Sequence, residues 1–118
     1  MKKVLLSLFF ILILVGCASG EETKINYMKA KEYLINNEAI LVDVRTEEEY
    51  NEGHIEGAVL LTLDDINEEN AKDVIGDTDK YVIVYCKSGV RSNEAYNKLK
   101  ELGYKNVYDL GSIDNWKE

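Results

Sequence analysis

The run YVIVY (Tyr81–Tyr85) is β-branched or aromatic at every position, a composition that suits a strand. AILVDV (Ala39–Val44) is a strand candidate continuous enough, apart from Asp43, to be covered on both faces as in parallel sheets, and AVLLTL (Ala58–Leu63) and NVYDL (Asn106–Leu110) read as further strands. Helical patterns fill the intervals. Tyr27, Ala30 and Leu34 share one helical face behind Asn26 as cap, and Thr46–Gly53 reads as a short helix capped by Thr46, acidic in its first turn and stopped by glycine. Asp64–Ile75 predicts one or two weak helices. Ser92 onward predicts a helix with Ala95, Leu99 and Leu102 on one face and Gly103 as its stop, and SIDNWKE a short terminal helix. Strands alternating with helices predict an α/β fold: an open parallel sheet of about five strands with helices on both faces. Ligands of such sheets bind outside the carboxyl ends of the strands.

The first residues stand apart from this pattern. Lys2 and Lys3 precede an apolar run from Val4 to Val15. That run is shorter than the ~20 residues a spanning helix needs and has the layout of a secretory signal. LVGC (Leu14–Cys17) resembles the lipobox of bacterial lipoproteins, in which cleavage precedes the cysteine and the cysteine is acylated. The expected organisation is a lipoprotein signal peptide over 1–16, lipidated Cys17 with a polar tether over 17–24, and one domain over 25–118. The expected location is outside the cytoplasmic membrane or periplasmic, held by lipid. Loss of residues 1–16 removes two lysines and no acid, so 12 basic residues face 22 acidic ones, a net charge of −10. A chain this acidic is a poor partner for nucleic acid, whose binding rests on phosphate neutralisation. Membrane contact is expected through lipid on Cys17 and not through a basic face.

With Cys17 acylated, Cys86 is the only free thiol, and an unpaired cysteine in an exported protein is unusual. A buried small hydrophobe is the ordinary reading. Its position argues for another. Cys86 stands where a strand ends, Gly89 permits a sharp turn, and a helix follows. Such a turn gathers amide N–H groups into an anion-binding nest backed by the helix dipole. Helix N-termini and neighbouring cations bring a thiol pKa from ~8.5 down to ~3.5–7.5. Lys87 and Arg91 are the expected cations, with Glu94 opposing them mildly. Cys86 therefore reads as a reactive nucleophile.

At this point three motifs, LVDVRTEEEYNEGHIEGA (Leu41–Ala58), CKSGVRS (Cys86–Ser92) and DLGSIDNW (Asp109–Trp116), resemble the rhodanese-like sulfurtransferases in order and spacing. The likeness covers roughly Asn26–Trp116, and the exported single-domain form is similar to small periplasmic rhodaneses. Gly111-Ser112 departs from the family's usual Gly-Gly, and the chain ends two residues after Trp116. The resemblance implies that Cys86 takes the outer sulfur of thiosulfate or a similar small anionic donor as a persulfide. A thiol or cyanide then accepts that sulfur. It also implies that the substrate-binding loop Lys87, Ser88, Gly89, Val90, Arg91 and Ser92 holds the terminal sulfur through its amides. No metal or organic cofactor is expected, and the protein is expected to be a monomer.

The remaining residues read as scaffold. Asp43 and Arg45 are placed at a strand end to tie neighbouring loops, and His54 is read as structural near the site. The tyrosines are read as packing, and Glu47–Glu49 as a solvated helix start. Two other functions use similar parts. A cysteine phosphatase or arsenate reductase carries one residue more between cysteine and arginine than the four of KSGV, and the smaller ring fits a sulfur atom better than a tetrahedral oxyanion. A persulfide carrier or thiol-binding module without turnover would need the same thiol.

Overall fold

The structure is a computed structural model that describes residues 23–117. The expected signal sequence, Cys17 and most of the expected tether lie outside the described residues. Four parallel strands, β1 (Ile40–Asp43), β2 (Val59–Leu60), β3 (Tyr81–Cys86) and β4 (Asn106–Ser112), lie in the order β2-β1-β3-β4. The α/β parallel architecture is as expected, with four strands and not about five. A further edge pairing exists, but only as one parallel bridge between Lys24 and Asp109. The Asn26 side chain caps the next helix at once, so the chain turns away before a ladder forms.

Helix α1 (Tyr27–Asn36) covers one face, and α3 (Glu68–Val74) and α4 (Val90–Glu101) the other. The period of β3 explains the division. Val82, Val84 and Cys86 join Ala71, Ala95 and Leu99 in one apolar cluster. Ile83 and Tyr85 join Ala30, Leu41 and Leu110 in the other. Adjacent residues at the end of β3 thus serve opposite faces: Tyr85 one, Cys86 the other.

Several elements are shorter than their sequence patterns. β2 pairs for two residues, although Leu61 N–H and Leu63 N–H continue to donate to the carbonyls of Asp43 and Val44 at 3.0 Å. The weak-helix region becomes a 3-10 turn at Leu63–Asp65 followed by α3, and the terminal helix is a 3-10 turn at Ile113–Asn115. Helix α2 (Glu47–Glu52) forms as expected, closed by a reciprocal capping box between Thr46 and Glu49. α4 starts at Val90, two residues earlier than the apolar spacing indicates.

Candidate active site

The carboxyl ends of β1 and β3 lie side by side, with Asp43 opposite Tyr85. Asp43 is fully buried, and its carboxylate receives Arg45 Nε at 3.0 Å and Arg45 Nη2 at 2.8 Å. Arg45 Nη2 also donates to the Gly53 carbonyl at 2.7 Å, joining the end of β1 to the end of α2. The Tyr85 hydroxyl donates to Asp43 Oδ2 at 2.7 Å and accepts the Ile55 amide at 3.1 Å. Burial, chiefly, pushes the Tyr85 pKa far up, while the Asp43 hydrogen bond raises that of Arg45. Tyr85 therefore stays a neutral donor and Arg45 a cation. In the sequence Tyr85 reads only as packing, since no local pattern shows that its hydroxyl reaches Asp43.

Cys86 ends the neighbouring strand. Its Sγ accepts the backbone N–H of Gly89 at 3.0 Å and of Ser92 at 3.2 Å. Gly89 has φ +101°, a left-handed conformation that lets the turn close and α4 begin. Ser92 Oγ donates to the Gly89 carbonyl at 3.2 Å and braces the same turn. Two main-chain donors thus face one sulfur at the start of a helix. Lys87, Ser88 and Val90 are exposed on the outside of the loop.

Two findings differ from the sequence expectations. Arg91 does not lend its charge to the sulfur alone: it forms a two-pronged pair with Glu49, at 2.7 Å and 3.1 Å. The pair raises the Arg91 pKa and, with the Thr46 amide, draws Glu49 down to about 2. Glu49 is therefore not part of a solvated helix start. The capping box turns it toward the cysteine loop, so α2 is fastened to α4. The TEEE pattern signals the cap, but nothing local signals a partner 42 residues away. The second difference is burial. Cys86 has no solvent exposure and belongs to the apolar cluster that includes Val44, Val84 and Ala95. Its sulfur lies beneath the loop, not at an open mouth.

Beside the loop lies a cleft of about 280 Å³ lined by Arg45, Glu49, Glu52, Lys87, Ile113 and Asp114 with Gly53. Lys87 is its exposed cation, because Arg45 is tied to Asp43. His54 is exposed and stacks flat on Tyr50 at 3.7 Å, its Nδ1 2.8 Å from the Tyr50 carbonyl oxygen. Among the described residues, no group of three His, Cys, Asp or Glu side chains is placed to hold a metal ion.

A parallel α/β sheet with a cysteine loop between strand and helix defines a small class of proteins, and comparison narrows it. The family model for the rhodanese-like domain matches residues 26–118. The thiosulfate sulfurtransferase GlpE of Coxiella burnetii is 34% identical over 95 residues, covering 80% of this chain and 86% of that protein. The thiosulfate sulfurtransferase PspE of Escherichia coli K12 is 35% identical over 72 residues, covering 61% of this chain and 68% of that one. A solved structure described as rhodanese with anions, from E. coli, superposes with a TM-score of 0.62 at 31% identity, covering 65% of this chain and 89% of that one. The chain belongs to the rhodanese-like domain family and is a rhodanese-type enzyme.

Proposed function

We propose that the chain is a thiosulfate-type sulfurtransferase that carries sulfane sulfur on Cys86. The observation that carries this reading is the pair of amides, Gly89 and Ser92, donating to Sγ at the end of β3. The Cys86 thiolate attacks the outer sulfur of thiosulfate. The sulfur–sulfur bond of the donor breaks, its electron pair leaves with sulfite, and a persulfide anion remains on the enzyme. Cyanide or a thiolate then attacks the outer sulfur and restores the Cys86 thiolate. The loop amides stabilise the anionic sulfur as an oxyanion hole stabilises oxygen. Lys87, exposed on the cleft, attracts the anionic donor. In the resting arrangement Cys86 has no solvent exposure. Cys86→Ala tests the reading: sulfite release from thiosulfate should vanish while the folded spectrum is retained, and retained release would end the proposal.

The leader supports a location. The apolar run Val4–Val15 and the LVGC segment favour export and acylation at Cys17, with residues 18–24 as a short polar tether. Incorporation of labelled fatty acid into the wild type, absent from Cys17→Ser, is the expected result. Equal labelling of both would contradict it.

A further inference from the structure

Ser112 is the last residue of β4 and stands opposite Cys86 in the sheet register. Its place depends on an irregularity. Val84 pairs with Asp109 and Tyr85 with Gly111, so Leu110 is an extra residue in β4. Gly111 turns there with φ +86°, and its N–H donates to the buried Asp109 Oδ1 at 2.9 Å. An added Cβ at Gly111 would stand 3.1 Å from Asn115 Nδ2, which further favours glycine. The bulge brings the Ser112 hydroxyl to the first peptide of the cysteine loop. Ser112 Oγ donates to the Lys87 carbonyl at 2.7 Å and accepts the Asp114 N–H at 3.0 Å. The hydroxyl is thus held from both sides, with its proton directed at Lys87.

The consequence follows from peptide geometry. In a trans peptide the N–H points opposite to the preceding C=O, and no cis peptide occurs among the described residues. With the Lys87 carbonyl fastened to β4, the Ser88 N–H must face away from β4. We infer that Ser112 is a positioning residue for sulfur transfer: by holding the Lys87 carbonyl it aims the Ser88 N–H into the loop, as a donor to the outer persulfide sulfur. Gly89 and Ser92 already donate to Cys86 Sγ itself. The outer sulfur is one bond further out and takes the next amide of the loop. Ser112 touches no reacting atom and acts through the Lys87–Ser88 peptide.

This inference rests on the persulfide reading above, and its test separates the two. Ser112→Ala and Ser112→Thr would be compared with the wild type in sulfur loading from thiosulfate, in kcat and KM, and in thermal midpoint. A hydrogen bond to a charged group is worth ~1.5–3 kcal/mol, so loss of its alignment should lower kcat about tenfold or more in Ser112→Ala. KM should change little, and Ser112→Thr should restore most of the rate. Wild-type kcat in Ser112→Ala would overturn the inference. So would a rate loss that follows the thermal midpoint and is not rescued by threonine. Failure of the wild type to load sulfur at all would instead overturn the persulfide reading.

Discussion

The loops that leave β1 and β3 lie next to each other and are built by opposite means. After β1, side chains form the core of the corner: Asp43, Arg45 and Tyr85 make a buried network that reaches Gly53 and Ile55. After β3, main-chain donors face the reactive atom, with two amides on one sulfur, while the Ser112 and Ser92 hydroxyls hold loop carbonyls. The first arrangement fixes a shape and leaves no polar atom of Asp43 or Tyr85 for chemistry. The second leaves the side chains of Lys87, Ser88 and Val90 outside, away from the two donors. A rigid corner built from side chains thus supports a reactive corner built from backbone.

The largest effect on stability is expected at the rigid corner. Asp43→Ala removes the partner of a buried guanidinium, and breaking such a pair costs ~3–5 kcal/mol. That is a large share of the ~5–15 kcal/mol holding a small domain together, and chemical denaturation should show the loss directly. A cost within the ordinary range of surface changes would mean that the network is not what fixes this corner.

A smaller effect is expected where the reactive loop needs its backbone shape. Gly89→Ala meets no closer atom than Gly111 Cα at 3.8 Å, so the cost is conformational, ~1–2 kcal/mol for a left-handed residue with a Cβ. Sulfur loading should fall much further than stability does, because the Gly89 amide is displaced. Parallel losses in both would remove the distinction between the two corners.

The smallest effect concerns the pair that joins them. Glu49 titrates at about 2 against an ordinary 4.5. A carboxylate depressed in the folded state contributes stability above the unfolded value, and that contribution is lost as pH falls toward the folded one. The thermal midpoint of the wild type should therefore fall more steeply than that of Glu49→Gln between about pH 4.5 and about pH 2. The difference should stay below ~1 kcal/mol, since the pair is partly exposed. Identical pH profiles would show that the pair contributes nothing to closing α2 against α4.

Local patterns carried most of this architecture. YVIVY, Asn26 as a cap and Thr46–Gly53 as a helix are all where their composition puts them, because strand propensity, caps and stops act over a few residues. The short β2 and the bulge in β4 are set by pairing with neighbours and have no local mark. In the site, the glycine turn between strand and helix was visible as an amide nest. The Glu49–Arg91 pair and the Tyr85 bond to Asp43 were not, since each depends on residues brought together from distant parts of the chain. The burial of Cys86 is the ordinary reading of a free cysteine, which its position at the strand end outweighed. Charge counting near Cys86 names Arg91 as a cation for the sulfur, while the fold directs its guanidinium to Glu49.

The central claim is that backbone donors around Cys86 make it the carrier of one transferable sulfur. Intact-mass measurement of the protein after incubation with thiosulfate tests this most directly. The account predicts a gain of one sulfur atom that disappears on adding cyanide and never forms in Cys86→Ala. An unchanged mass in the wild type, or the same gain in the variant, would contradict it.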